Sequence, residues 1–306
     1  MPREPIDPPN PNDLEALRAA GRVAAAVRDF GAALVVAGAR PRDVCAAVED
    51  EIRRHGAHLA FPTQSARNHV AAHDCPAPED ESVYANGDLA KLDIGVHVDG
   101  WVVDTATTVN VGDVPANRPK VEAVRAALSA AIAASGPGVP VRQVSRAIET
   151  AIRSFGLRPL RNLCGHGVGR FSVHCAPPIP NLVDEPSRDV LRPGHLIALE
   201  PFATDGEGVA REEGTPEVFR WAPEAGDVGS VDADIVEAIR SFRGLPFSRR
   251  DLARFPADRL RRALVALRRA RAILGYAPLV ERSRGLVAQA EHTIYVGESG
   301  IEILTR

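Results

Sequence analysis

Residues 91–111 read KLDIGVHVDGWVVDTATTVNV, and the alternation in that stretch decides how the rest of the chain can be arranged. From Leu89 to Val111 the chain is rich in Val and Thr at alternating positions, and Val98-Asp99-Gly100 supplies a turn, so the spacing predicts a β-hairpin. With a two-residue loop of either Val98-Asp99 or Asp99-Gly100, Asp93 and Asp104 fall on one face of the hairpin, directly opposite or one diagonal apart. Two carboxylates so placed repel each other. In a buried position the pair needs a cation, because an uncompensated buried charge costs several kcal/mol. In a solvent-facing position the same two residues flank an ordinary hairpin, and spacing alone leaves both readings open.

Upstream of the hairpin the period changes to that of helices. Residues 1–11 carry five prolines and read as an extended tail, and Asn12-Asp13 supplies a capping signal. Leu14, Leu17, Ala20, Val23, Ala24, Val27 and Phe30 recur at helical spacing until Gly38 and Pro41, and a second helix follows over Arg42 to Arg54. Downstream, helices are expected at about 118–134 and 141–155, the second entered through Pro140. LCGHGVG, SVHCAPP, HLIALEPFAT and AQAEHTIYVG are short, apolar and bounded by Gly or Pro, as strands of a central sheet would be. Residues 206–285 differ: a loop rich in Gly, Glu and Pro leads into three arginine-rich helical stretches, 232–243, 248–255 and 257–274. The domain reading is therefore a tail over 1–11, a catalytic body over 12–205 and 286–306, and an inserted helical subdomain over 206–285. The fold class is α+β.

Composition narrows the function classes. The chain has 306 residues, 25% charged and 45% apolar, with a formal net charge of -3, which suits an ordinary globular protein and not wholesale binding to nucleic acid or membrane. The four cysteines, Cys45, Cys75, Cys164 and Cys175, have neither zinc-knuckle spacing nor disulfide-scaffold density, so reduced thiols in a cytoplasm are expected. No signal core or membrane-spanning run is visible in the sequence.

Further acids and histidines sit where core residues are expected. His166 lies in Cys-Gly-His-Gly-Val-Gly, Glu200 ends Leu196-Ile197-Ala198-Leu199, and Glu291 lies in Ala288-Gln289-Ala290-Glu291-His292. Charged residues in such runs are rarely core filler, although each alone could be a satisfied histidine or the partner of an arginine. With Asp93 and Asp104 they make four carboxylates and one imidazole, enough for two divalent ions that share bridging carboxylates.

In that order, Asp93, Asp104, His166, Glu200 and Glu291 resemble the ligand set of the methionine aminopeptidases, over about residues 13–304. The resemblance implies the pita-bread fold: a curved antiparallel sheet with flanking helices. The long connection from Glu200 to Glu291 resembles the type II enzymes, whose inserted subdomain is winged-helix-like, and the lack of a long charged N-terminal extension resembles the archaeal ones. Ala60-Phe61-Pro62, Ala71-Ala72-His73, Ser172-Val173-His174, Pro201-Phe202 and Tyr276-Ala277-Pro278 resemble further segments of that family.

The resemblance implies a chemistry. Asp93 chelates one ion, His166 and Glu200 hold the other, and Asp104 and Glu291 bridge; Co, Mn, Fe or Zn would suit these ligands. Glu200 also shuttles a proton, His174 and His73 flank the scissile amide, and Phe61, Val173, Phe202 and Tyr276 wall a methionine pocket. Removal of the initiator methionine from nascent polypeptides, before a small penultimate residue, is the implied function, by a monomer in the cytoplasm. The competing readings are a prolidase- or aminopeptidase P-like peptidase and a non-catalytic ribosome- or RNA-binding member of the fold. The arginines of the insertion, from Arg240 to Arg271, face only Asp251 and Asp258 in the same stretch, and read either as a solvated face or as a ribosome-docking surface.

Overall fold

Pro11 opens the first helix, α1 (Pro11–Leu34), because its fixed φ and missing N–H cost nothing at the first helical position. The cap is Asn10, two residues before the expected signal: its side chain accepts from the backbone of Asn12 and Asp13, and Asp13 reaches back to the Asn10 N–H at 3.0 Å. The other Asp13 oxygen accepts from Trp101 Nε1 at 2.7 Å, pinning the start of the helix to the hairpin. The computed structural model describes residues 8–183, 188–222, 228–229 and 231–306, so residues 1–7 of the expected tail lie outside the described residues.

The hairpin strands Leu89–Val98 and Trp101–Asn110 pair antiparallel with Val98 opposite Trp101, which makes Asp99-Gly100 the loop. Both loop residues take positive φ, 52° and 87°, as a type I′ turn requires. Gly100 has a second constraint, since a Cβ there would lie 2.1 Å from the Phe171 ring. Asp93 then faces Ala106 and Asp104 faces Gly95, so the two carboxylates stand one diagonal apart.

Further strands extend this pair into one antiparallel sheet. Its order is His58–Leu59, Leu89–Val98, Trp101–Asn110, Glu291–Val296, Leu196–Leu199, Cys164–Gly169 and Ser172–Pro180, with Gln64–Arg67 beside the second strand and Ile301–Ile303 beside the fourth. Threonine hydroxyls hold the seam at Glu291–Val296: Thr293 Oγ1 donates to the Asp104 carbonyl at 2.8 Å, and Thr108 Oγ1 donates to the Gln289 carbonyl at 2.6 Å.

Two helix pairs cover one face of the sheet. Helix α1 and helix α2 (Pro41–Arg54) bury Leu17, Val27, Val48 and Ile52 against Leu92, Ile94 and Val96. Helices α3 (Arg118–Ala134) and α4 (Val141–Ser154) bury Val124, Val144 and Ile148 against Ile197, Leu199 and Ile294. Each such side chain contributes roughly 1.5–3 kcal/mol. Because side chains alternate along a strand, Asp93, Glu200 and Glu291 project from the other face.

The segment 206–285 is less helical than its arginine-rich periodicity predicts. Among the described residues its regular helices are α5 (Ala233–Arg240) and α6 (Ala257–Arg269). The stretch expected as a helix over 248–255 holds one 3-10 turn, Arg250–Leu252, because Phe247–Ser248 is a strand and Pro256 leaves no room for a second turn. The helix expected over 257–274 stops at Arg269: Arg271 adopts φ 54°, and Ile273–Tyr276 joins Val218–Trp221 and Phe247–Ser248 in a small sheet. Phe219, Ile235, Ile239, Leu264 and Leu267 form a core of their own there. At the margins of the segment, Ala210–Glu212 and Leu279–Glu281 pair with each other and the latter with Val70–Ala72, so these outer residues are hydrogen-bonded to the body.

A buried ion pair ties the two parts together. Arg250 donates to Glu49 of α2 at 2.5 Å, to the Pro76 carbonyl at 2.6 Å and to the Thr63 carbonyl at 3.3 Å, while Glu49 accepts from the Thr63 N–H at 3.0 Å. Burial pushes the Glu49 carboxyl up, against the pull of Arg250. Arg250→Met should therefore destabilise the protein by about 3–5 kcal/mol, since it strands a buried charge. Glu49→Leu combined with Arg250→Met should recover much of that loss. Denaturant unfolding of the singles and the double checks the order, and a double mutant as unstable as the sum of the singles would contradict it.

Candidate metal centre

Strand register alone carries the four carboxylates and one imidazole singled out from the sequence onto one face of the sheet. Asp93 and Gly95 share a face, Gly95 is opposite Asp104, and Ala106, opposite Asp93, is also opposite Glu291. Two residues on from Glu291, Thr293 pairs with Ala198, which pairs in turn with His166 and stands two residues before Glu200. Pro201 cannot donate to the ladder, so the strand ends at Leu199 and leaves Glu200 at the break. Asn181 braces that break, accepting from the Phe202 N–H at 3.0 Å and donating to the Leu163 carbonyl at 2.9 Å.

The five converge. Ligand atoms of Asp104, His166 and Glu291, all three buried, lie within 4.8 Å of one another. His166 Nε2 is 3.9 Å from Asp104 Oδ2 and 3.4 Å from Glu200 Oε1. Its Nδ1 lies 3.2 Å from the Gly167 carbonyl oxygen, and the tautomer protonated there presents the Nε2 lone pair to the carboxylates.

Electrostatically the cluster is incomplete. Burial raises the Asp93 carboxyl well above its ordinary range, and the charge of Glu200 adds to it. Asp104 is raised by burial and then by Asp93, and Glu291 by burial and then by Asp104 and Glu200. Asp93 Oδ1, Asp104 Oδ1 and Glu291 Oε1 are buried without any hydrogen-bond partner. Divalent cations fit this donor set: they neutralise the repulsion, occupy the stranded oxygens and accept imidazole and carboxylate together.

A cavity of about 340 Å³ opens onto the cluster, and all eleven side chains assigned to the site from the sequence line it. Phe61, His73, Val173, His174, Phe202 and Tyr276 lie there beside Asp93, Asp104, His166, Glu200 and Glu291. The rings of His174 and His166 meet edge to face at 4.4 Å, and those of His73 and Tyr276 at 5.7 Å. Burial lowers His73 to about 4, and burial next to His166 holds His174 well below the usual imidazole range, so both rings are neutral at pH 7. Phe61 packs where strand residue 95 has no side chain: a Cβ on Gly95 would lie 2.3 Å from its ring. Phe202 also packs with Ala71, Leu160 and Val287, and Val173 with the main core, so these two serve packing as well as the cavity wall.

Sequence reasoning missed several residues in the cavity wall or behind it. Gln289 donates to Glu200 Oε2 at 3.2 Å and to Glu291 Oε2 at 3.4 Å, and its position two residues before Glu291 was the available signal. Gln64, opposite Asp93 across the ladder, and Cys164 and Arg220 also line the cavity. The strands that carry Gln64 and Arg220 have four residues each, too short for periodicity to reveal.

Comparison with known proteins identifies the family. The model of metallopeptidase family M24 matches residues 15–250. The chain is 39% identical to the methionine aminopeptidase of Thermococcus kodakarensis, over 96% of this chain and all of that one. It is 38% identical to that of Methanothermobacter thermautotrophicus, over 95% of this chain and 98% of its relative. The crystal structure of methionine aminopeptidase from Thermotoga maritima superposes with a TM-score of 0.73 at 24% identity, over 99% of this chain and 100% of that one, a likeness of fold.

Cation binding should be visible in stability. Adding Mn²⁺ to metal-free protein should raise its unfolding free energy by about 2.7 kcal/mol at a hundredfold excess over Kd. Asp104→Asn should lose that gain, yet be at least as stable as the parent without metal, because it relieves repulsion. A metal-free Asp104→Asn protein less stable than the parent would show that the carboxylate cluster is not strained.

Proposed function

The chain belongs to metallopeptidase family M24 and to its methionine aminopeptidases, and from that premise we propose how its own side chains share the reaction. It removes the initiator methionine of proteins, on an α+β pita-bread fold with a buried Asp/His/Glu metal site. One observation carries the assignment of roles: Asp93, Asp104 and Glu291 each leave a buried carboxylate oxygen without a partner, and all three line, with His166, a cavity that also holds the rings of Phe61, Phe202 and Tyr276.

In this reading Asp93, Asp104, His166, Glu200 and Glu291 would together hold two divalent ions. Bound there, the ions would supply Lewis acidity for hydrolysis of the scissile amide. Glu200 takes a proton from the attacking water and carries it to the leaving amine. The Gln289 amide restrains Glu200 during the transfer. His174, a neutral ring lining the cavity, donates to the scissile amide, and His73 flanks the substrate from beside Tyr276. Phe61, Val173, Phe202 and Tyr276 enclose the thioether, where each sulfur–aromatic contact contributes roughly 0.3–1.5 kcal/mol. A small penultimate residue is the preference we propose.

We also propose that the part of 206–285 lying between the strands Ala210–Glu212 and Leu279–Glu281 is an inserted, winged-helix-like subdomain. Its separate core and three-stranded sheet support this. Its arginines are less free than the sequence alone suggests: Arg249 pairs with Glu79 and Glu217, Arg250 with Glu49, and Arg259 with Asp232 and Asp234. Arg262, Arg268, Arg269 and Arg271 are exposed and have no ion pair among the described residues. These four make the surface we assign to ribosomal RNA.

Two measurements test these readings. His174→Ala should lower kcat on Met-Ala-Ser by on the order of a hundredfold with metal content unchanged, as expected for a lost transition-state hydrogen bond. Loss of metal comparable to that in His166→Ala would refute the role. Preferred cleavage of Ala-Pro peptides over Met-Ala-Ser by the parent would favour the prolidase-like alternative. For the RNA surface, the parent should co-sediment with ribosomes at low salt and dissociate as salt rises. Charge reversal of Arg262, Arg268, Arg269 and Arg271 should abolish co-sedimentation while free Met-Ala-Ser is still cleaved, and undiminished ribosome binding would leave only the solvated-face reading.

A further inference from the structure

Arg220 occupies a position that the carboxylate cluster and the methionine pocket do not explain. Its strand, Val218–Trp221, pairs with Ile273–Tyr276 so that Val218 is opposite Tyr276 and Arg220 opposite Leu274. Alternation sends Phe219 into the core of the insertion, where its ring lies 5.9 Å from that of Phe247, and sends Val218 and Arg220 the other way. Both then line the cavity that holds the five metal-binding side chains.

The guanidinium there is unmatched. Arg220 is half-buried, its Nε is buried with no hydrogen-bond partner, and among the described residues no carboxylate is within ion-pairing distance of it. Arg249, Arg250 and Arg259 of the same segment each have at least one such partner. A buried N–H without an acceptor is costly, and a planar guanidinium is best matched by a carboxylate that accepts two parallel hydrogen bonds. The acidic end of the cavity is suited to cations and to the substrate's amino terminus, so any carboxylate that enters must arrive on the downstream part of the substrate.

We propose that Arg220 is a specificity-determining residue that pairs with a substrate carboxylate just downstream of the scissile bond. The carboxylate is either the C-terminus of a short peptide or an acidic side chain near the new N-terminus. This inference rests on the reading of the cavity as the site that removes N-terminal methionine. It makes the cleft selective for the residues after the methionine as well as for the methionine itself.

Metal-reconstituted full-length protein tests it with two matched pairs of peptides. Met-Ala-Ser as free acid against its amide isolates the terminal carboxylate, and Met-Ala-Glu-amide against Met-Ala-Gln-amide isolates the side chain. The parent should prefer the charged member of at least one pair by roughly tenfold in kcat/KM, mainly through KM, as a charge-assisted hydrogen bond provides. In Arg220→Met that ratio should fall to about one. Arg220→Lys, which keeps the charge and loses the fork, should retain part of it, and serves if the methionine variant does not fold. Ratios near one in both pairs for the parent, or ratios that survive both substitutions, would overturn the role of Arg220 while cleavage of the neutral amides upholds the function. Failure of the parent to cleave any of the four would remove the premise and the inference with it.

Discussion

Mutual repulsion among Asp93, Asp104, Glu200 and Glu291 is the constraint on which the site depends. A sheet can present four carboxylates on one face only if something offsets the cost of desolvating them, and here the offset from within the protein is small. Gln289 offers one amide, His166 one imidazole, and three of the oxygens are left with nothing. The helices on the opposite face carry the stability that allows this deficit. The same division of faces explains why the catalytic region reads as strained while the rest of the sheet reads as ordinary core.

Period-two alternation made the essential geometry legible before any coordinates. Once the hairpin was read from Leu89 to Val111, Asp93 and Asp104 had to share a face whichever two-residue loop closed it. The left-handed backbone at Asp99 and Gly100 selects between the two loops and makes the relation diagonal, which leaves room between the carboxylates that a directly opposed pair would not. His166, Glu200 and Glu291 were legible because charge inside short apolar runs contradicts core packing. Their mutual approach was not legible, since it depends on which strands are neighbours in the sheet, and that is a long-range property.

The readings that needed revision share one cause: local signals lost to tertiary contacts. Arginine-rich periodicity over 257–274 favours a helix throughout, yet Ile273–Tyr276 leaves the helix to pair with Val218–Trp221, because a strand there completes the small sheet. The same segment looked strongly basic because its partners lie elsewhere in the chain. Glu49 and Glu79 precede the hairpin, and Glu217 and Asp232 come from the segment's own leading part. Charge counted along a stretch overstates what remains unneutralised after folding, and among the described residues Arg262, Arg268, Arg269 and Arg271 are exposed members of that stretch without an ion pair.

Segment 206–285 is also structurally part of the cleft. Arg250 reaches across to Glu49 and to the carbonyl of Thr63, two residues after Phe61, so the ion pair that anchors the segment also anchors the loop bearing a cavity ring. Pro246, Val218, Arg220 and Tyr276 line the cavity from that segment. The rest of the chain therefore supplies the carboxylates and histidines of the cleft, while segment 206–285 supplies apolar enclosure and one unmatched cation. Substrate selection is the property most open to change in such a division, because residues of the small sheet can be replaced without touching the carboxylate cluster or the helices that support it.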